Sequence, residues 1–357
     1  MKKNIKRIVL ISTICIVALA SATATGAVVR EANIINEYSK MSQDQIVENL
    51  TDEKPADMLK ISSAVFKGIE DKQTSDAVIA YASVIDSRIN ELDENKIVSE
   101  ICNGKSDEFY RITLLQSYSN NFKAKTDANG EKIISLLEKE DTPSELKQNI
   151  ILRSKFDTEE SVAILREMCD ASEELVAYQA IKVLSEAKPE EAQAKAETIL
   201  NNYQNEQVEK VNIALTVEAN NIKNNPTAVT EQEKSEFLNR CLDIMDKNKD
   251  DKLGECAYTA IAEMGDINAV TEIIRSDKFT ESQKSYGINK NVNVLMSMPD
   301  GNEKLQLIAE AANLCPLNEF KEVLESARGN AAVDQQAVEK GLELIERYGR
   351  DANPRLQ

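Results

Sequence analysis

The chain contains no histidine and no tryptophan among its 357 residues. Without histidine, the Ser-His and Cys-His nucleophile pairs, His-ligated zinc and the HExxH protease site are excluded. No glycine-rich phosphate loop is present either. The 61 acidic residues could supply a glycosidase pair, but no two of them stand out from solvated helix faces. The sequence therefore predicts no catalytic residue, no cofactor and no metal ligand.

Glycine, proline and aromatic residues are also scarce, with 11 Gly, 7 Pro and 4% aromatic residues. A β-sandwich or barrel needs many tight turns, so this scarcity disfavours both. The apolar content of 42% and the charged content of 29% are typical of a folded protein. The core must therefore be built from Ala, Leu, Ile and Val.

The N-terminus has the pattern of an export signal. Four basic residues lie in the first seven positions, an apolar run covers 8–20, and small residues fill 21–27. These are the three regions of a cleaved signal peptide. The alternative is an uncleaved anchor, because the 22 residues from Ile8 to Val29 carry no charge and are long enough to span a bilayer. Both interpretations place residues 31–357 outside the cytoplasm, in the envelope or secreted.

The net charge of −18 becomes −22 if residues 1–27 and their four basic residues are removed. Such a surface repels nucleic acid and anionic lipid, so membrane contact is expected only through 8–29 if that segment stays uncleaved. The acidic excess favours a protein or peptide partner with basic segments. The alternative explanation is solubility alone.

After residue 40 the apolar spacing is helical nearly everywhere. The segments AYQAI (177–181) and AYTAI (257–261) begin two stripes at i, i+3, i+4 and i+7, and they lie 80 residues apart. This separation fits two helical repeats of about 40 residues. The predicted repeat-core residues are Ala177, Ala180, Ile181, Leu184, Ala257, Ala260, Ile261 and Met264, with Val270 and Ile274 on the following helix.

Turn and cap residues divide the stripes into helical hairpins. Gly265 can end a helix in the left-handed conformation, and Asp266 can cap the next helix. Six helix–turn–helix units are predicted, starting near 143, 172, 206, 251, 281 and 317. Further N-terminal caps are predicted at Thr142, Asp157, Thr230, Thr280 and Asp300, and a short β-hairpin is allowed at 126–130.

The segment AYTAIAEMGDINAVTEII (257–274) resembles a HEAT repeat of the short bacterial HEAT-like kind, in which an Ala-rich helix ends at Gly-Asp and an Ala-Val pair opens the second helix. The segment 177–200 is similar, although Lys188 and Pro189 replace Gly-Asp at its turn. The resemblance implies a right-handed stack of helical hairpins and a role in protein binding, and it carries no functional residues.

We therefore expect an all-α fold, an α-solenoid of antiparallel helical hairpins. Its predicted parts are a leader (1–27), an N-terminal helical region (28–140), a repeat array (141–348) and a flexible tail (349–357). The expected function is an exported, non-catalytic scaffold that binds a protein or peptide on its surface. One alternative is a HEAT-like lyase or lyase subunit, with Cys, Asp and Tyr around a bound ligand. Another is an envelope-structural role, if the leader is retained.

The sequence contains two further patterns that could bind a metal ion or form a disulfide. In DKNKDDKLGECA (246–257), Asp246, Asn248 and Asp250 occupy the first, third and fifth places of a calcium loop. The Gly and Glu that such a loop requires at its sixth and twelfth places are replaced by Asp251 and Ala257. A solvated interhelical turn is the prediction there.

The five cysteines after the leader form no metal-binding spacing, and each is expected to be a small buried residue. Cys241 and Cys256 flank the turn at similar distances, so an antiparallel hairpin permits a disulfide between them. The alternative is that both thiols remain free.

Overall fold

The computed structural model describes residues 41–68, 76–122, 127–248, 251–353 and 355. These residues form 19 α-helices and four short 3₁₀-helices, and the described chain has no β-strand beyond one isolated backbone bridge. The predicted all-α class is confirmed. The predicted leader (1–27) and the alternative anchor (8–29) lie outside the described residues. Among the helices that are described, none is long and apolar enough to cross a bilayer.

The chain forms two compact units, which divide between Val183 and Leu184 inside one helix. Helices on either side of residue 140 pack together, so the predicted start of the repeat array at 141 does not coincide with the division into units and stays a prediction.

The helices of the N-terminal unit are α1 Gln43–Thr51, α2 Pro55–Gly68, α3 Asp76–Arg88, α4 Glu94–Ile101, α5 Glu108–Phe122, α6 Ala128–Ile134, α7 Ser144–Arg153 and α8 Glu159–Met168. Helix α9, Glu174–Ala187, contains the boundary.

The helices of the C-terminal unit are α10 Pro189–Asn201, α11 Val208–Asn224, α12 Glu231–Lys247, α13 Lys252–Glu263, α14 Ile267–Arg275, α15 Glu281–Lys290, α16 Val292–Met296, α17 Asn302–Leu314, α18 Lys321–Ala327 and α19 Gln335–Tyr348.

Within each unit, alternate helices pack side by side in a row. In the N-terminal unit α1, α3, α5 and α7 contact one another in succession, and α2 and α4 pack against this row. In the C-terminal unit the row is α11, α13, α15, α17 and α19. Each helix therefore covers the apolar side of its neighbours, which is the packing of an α-solenoid. The predicted fold class is confirmed.

The helices predicted over 143–348 correspond to α7–α19. Their pairing differs in part from the six predicted hairpins, because α10 packs most extensively on α11, and α12 on α13. The helix expected over 281–297 is interrupted at Asn291, which separates α15 from α16. The side chain of Asn291 makes a cross-helix hydrogen bond at this point.

The ten repeat-core residues are all buried, with at most 4% of each exposed: Ala177, Ala180, Ile181, Leu184, Ala257, Ala260, Ile261, Met264, Val270 and Ile274. At the turn between α13 and α14, Gly265 has a φ of 61°, a left-handed conformation that disfavours any residue with a Cβ. Asp266 then accepts hydrogen bonds from the backbone N–H groups of Asn268 and Ala269. The N–H groups in the first turn of α14 have no carbonyl partner within the helix, and the Asp266 side chain supplies one. The chain can therefore reverse direction within the two residues Gly265 and Asp266.

The capping boxes predicted at Thr230 and Thr280 are confirmed. The cap predicted at Thr142 is wrong, because this residue is buried and α7 begins one residue later than expected, after Pro143. Proline there supplies extended backbone without a side-chain acceptor.

Two predicted Asp caps are also wrong. Thr158, not Asp157, caps α8 and forms a box with Ser161. Gly301 precedes α17, and Asp300 instead pairs with Lys304 at 3.0 Å. The β-hairpin allowed at 126–130 is not formed, because residues 128–130 are helical and Asp127 caps α6.

Asparagine side chains join neighbouring helices through backbone carbonyls. The Asn291 amide donates to the carbonyls of Gly287 and Ala262, both at 2.9 Å, so it ties the end of α15 to the end of α13. The Asn313 amide likewise donates to Ala337 on α19 at 2.8 Å. The last carbonyls of a helix lack intrahelical partners, so the bond to Ala262 at the end of α13 satisfies a group that burial would otherwise penalise.

We predict that Ala260→Phe destabilises the protein by about 1–3 kcal/mol, because the larger ring overpacks a site on α13 that is 3% exposed. Urea unfolding followed by circular dichroism measures the change. The adjacent Thr259 is exposed, so Thr259→Phe is the matched control and should unfold close to wild type. An unchanged unfolding midpoint for Ala260→Phe would contradict this packing.

Candidate functional site

A depression in the C-terminal unit lies between one face of α15 and the segment 350–353. Its volume is about 500 Å³, and it is open to solvent. Helix α15 contributes Ser282, Ser285, Tyr286 and Asn289, which follow the i, i+3, i+4, i+7 spacing of one helix face. The segment contributes Arg350, Asp351 and Asn353. We call these seven residues the polar pocket.

The chain after α19 is held in place, so the predicted flexible tail (349–357) is wrong for residues 349–353. The backbone N–H of Asn318 donates to the carbonyl of Arg350 at 3.0 Å, and Ala352 donates to Glu319 at 2.8 Å. The side chain of Ala352 is buried. A Cβ on Gly349 would lie 2.3 Å from the carbonyl oxygen of Ile345, so only glycine permits this close return past α19.

Asn289 is the most buried member of the polar pocket, with 5% exposed. Its Oδ1 accepts a hydrogen bond from the backbone N–H of Asn353 at 3.0 Å, which fixes the orientation of the amide. The opposite atom, Nδ2, makes no hydrogen bond to any described residue. Nδ2 is not among the buried polar atoms that lack a partner, so it is open to the solvent of the depression. The pocket therefore presents a fixed donor whose partner the described chain does not supply.

The Arg350 guanidinium lies over the same helix face. Its Nη2 is 3.5 Å from the Ser285 hydroxyl and 3.9 Å from the thiol of Cys315. Neither contact is a charge pair, and no carboxylate of the described residues lies within salt-bridge distance of Arg350. Its charge is thus available to a ligand.

Tyr286 forms an aromatic wall at one side of the pocket. Its ring centroid is 6.2 Å from that of Tyr258, whose hydroxyl donates to the carbonyl of Gln283 at 2.6 Å. Tyr258 also contacts the Phe279 ring at 5.8 Å. These contacts hold the Tyr286 ring against the core on one side, and the residue lines the pocket.

The repeat-core and turn residues chosen from the sequence do not line this pocket. They build the stack that supports it. Apolar periodicity identifies the stripes of the core but not the polar stripe that runs at the same spacing along α15. The segment 350–353 carries no local pattern that predicts its contacts with residues 316–319.

The disulfide permitted between Cys241 and Cys256 is not formed, and none of the five described cysteines takes part in a disulfide. Cys241 is fully buried in the core, whereas Cys256 is partly exposed and lies near Glu209 and Lys252. The two side chains therefore occupy different environments, although they flank the same turn.

In the calcium-like segment 246–257, Asp250 lies outside the described residues. The other acidic positions have protein partners: Asp246 pairs with Lys278 at 2.6 Å, and Asp251 caps α13. No group of three or more potential metal ligands occurs among the described residues.

A second polar cluster surrounds Glu218 on α11. Burial raises the pKa of Glu218 to about 7, and repulsion from Glu197 adds to the shift. The positive charge of Arg240 and a hydrogen bond from Gln193 oppose it, while the more distant Glu233 raises it slightly. Glu218 is therefore about half protonated at neutral pH.

We predict that Glu218→Gln stabilises the protein by about 2 kcal/mol at about pH 8, after allowance for partial exposure of the site. The native pKa lies above the unfolded value of 4.5, so between these two values the native state holds more protons. The contribution of Glu218 to the free energy of unfolding therefore falls as the pH rises from about 4.5 to about 7.

Urea unfolding at about pH 5 and about pH 8 tests this, because the variant should gain stability only at the higher pH. The exposed Glu236 on α12 provides the control Glu236→Gln, which should show no such difference. Equal stabilisation by Glu218→Gln at both pH values would contradict the shifted pKa.

No family model, curated protein or solved structure gives a significant match to this chain. The resemblance of 257–274 to HEAT-like repeats accordingly stays a prediction from the sequence, and function must be argued from the pocket and the fold.

Proposed function

We propose that this protein is an exported, non-catalytic helical-repeat scaffold that binds a protein or peptide partner at the polar pocket of its C-terminal unit. The observation that carries the proposal is the fixed amide of Asn289, which is 5% exposed and has an unpartnered donor in an open depression of about 500 Å³. Sites of this volume hold small ligands or short segments of larger ones.

A polypeptide fits the groups that line the pocket. Peptide carbonyls and carboxylates accept from amide, guanidinium and hydroxyl donors, which Asn289, Arg350 and Ser282 provide. The ring of Tyr286 offers a flat apolar surface for an aliphatic or aromatic side chain. Because the pocket is open, the bound segment can continue into a longer chain.

The thiols of this protein support a non-catalytic role. Burial raises the pKa of Cys102, Cys241 and Cys256. These cysteines are thus protonated thiols at neutral pH, and a thiol is a far weaker nucleophile than a thiolate. The chain also has no histidine that could act as a general base.

The leader pattern and the acidic charge support the remaining parts of the proposal. Residues 1–27 resemble a signal peptide, and the net charge is −18. A partner with basic segments would be attracted over distances of about 10 Å at moderate salt. Binding of such a partner should weaken as ionic strength rises.

Site-specific photo-cross-linking in the producing cells tests partner binding. We expect a photoreactive residue at Ser282, on the exposed rim of the pocket, to yield a discrete cross-linked protein or peptide. Ser326 on α18 is an exposed serine of the same unit outside the pocket, so it is the matched control. Identical cross-linked products at both positions, or none at Ser282, would contradict the proposed site.

N-terminal sequencing of the mature protein tests export. We expect the first residue to fall within or just after the small-residue segment 21–27, because cleavage sites follow such residues. A mature chain that starts at Met1 and fractionates with membranes would favour the anchor instead.

A further inference from the structure

Arg350 makes no ion pair with a described carboxylate, whereas Arg275 pairs with Glu310 at 2.8 Å and Arg328 with Glu339 at 3.0 Å. Arg111 and Arg153 also bond to uncharged groups, which are the carbonyl of Ile101 and the amide oxygen of Asn149. Acidic residues outnumber basic ones by 61 to 43, so carboxylate partners are abundant. Arg350 instead lies over the hydroxyl of Ser285. A guanidinium held this way is suited to a ligand with paired oxygen acceptors.

The donor of Asn289 lies one helical turn from this guanidinium. Ser285 and Asn289 are four residues apart on α15, which places their Cβ atoms about 5–6 Å from each other. The guanidinium over Ser285 and the Nδ2 of Asn289 therefore flank a space that a carboxylate group can occupy. Each of its two oxygens would then meet a separate donor.

Asp351 supplies a negative charge in the same pocket. Its Oδ1 accepts from the Asn318 amide at 2.8 Å, which fixes the carboxylate and leaves the second oxygen able to accept. A phosphate dianion would be repelled by this group. A ligand that carries a carboxylate and, next to it, an N–H or ammonium group would satisfy both Arg350 and Asp351.

We infer that the polar pocket recognises a carboxylate with an adjacent nitrogen donor, the chemistry shared by the C-terminal residue of a peptide and a free amino acid. This inference rests on the pocket as the binding site proposed above. Arg350 and Asn289 hold the carboxylate, and Asp351 accepts from the nitrogen.

Titration calorimetry with three probes tests the chemistry and its source. The probes are the acetylated tripeptide Ala-Ser-Gly with a free C-terminal carboxylate, the same tripeptide with an amidated C-terminus, and free alanine. We expect the free-carboxylate tripeptide to bind at least tenfold more tightly than its amide. If alanine binds with the same affinity as the free-carboxylate tripeptide, the site is assigned to amino acids. If alanine binds more weakly than this tripeptide, the site is assigned to peptide C-termini.

Variants locate the binding in the pocket. Arg350→Gln keeps the backbone contacts of the segment and should weaken carboxylate binding by about ten- to a hundredfold. Asn289→Asp keeps the acceptor for the Asn353 N–H and replaces the donor with a negative oxygen, so it should abolish binding. The control is Arg347→Gln, which removes an exposed charge paired with Glu343 on α19 and should bind like wild type.

The inference is overturned if the acid and the amide bind equally, if Arg350→Gln binds like wild type, or if neither the tripeptide acid nor alanine saturates the protein at about 10 mM. Cross-linking at Ser282 separates this failure from failure of the proposed function. If a partner is cross-linked equally in wild type and in Arg350→Gln, the proposed scaffold function is supported and carboxylate recognition is contradicted. If the carboxylate binds but no partner is cross-linked, carboxylate recognition is supported and the scaffold function is contradicted.

Discussion

One neighbouring helix is not enough to bury the apolar side of each described helix. The architecture follows from the need for further neighbours that cover the rest of that side. Alternate helices lie side by side in rows within each unit, so every row member shields the next. Alanines such as Ala257 and Ala260 on α13 keep those approaches close. A core made of aliphatic side chains at helical spacing explains why the chain folds with few aromatics and few tight turns.

The polar pocket exists because α15 departs from this rule on one face. One face of α15 packs into the core through Gly287 and Ile288, whereas the face toward residues 350–353 carries hydroxyl, amide and phenol groups. The returning segment covers that polar face only in part. Its backbone is satisfied by residues 316–319 and by Asn289, so the side chains of Arg350 and Asp351 remain available. A stable stack thus supports a site that is not needed for its own packing.

The sequence was sufficient to predict features that depend on neighbours along the chain. Helical periodicity predicted the all-α stack and its helices, and the capping boxes at Thr230 and Thr280 were predicted because a cap and its partner lie three residues apart. Predictions failed where polar residues compete over one or two positions, as at Asp157, or where distant segments meet. The return of residues 349–353 depends on the space beside Ile345, which no local pattern encodes.

The amide of Asn291 bears on how the C-terminal unit opens. By bonding to Ala262 as well as to its own helix, it makes the end of α13 and the end of α15 depend on the same side chain. Fraying of either helix would strand a buried amide, so the two ends are expected to exchange their backbone protons as one cooperative block. A mechanical force applied to α15 would accordingly act on α13 as well, and the two helices would unfold together with the pocket that α15 lines.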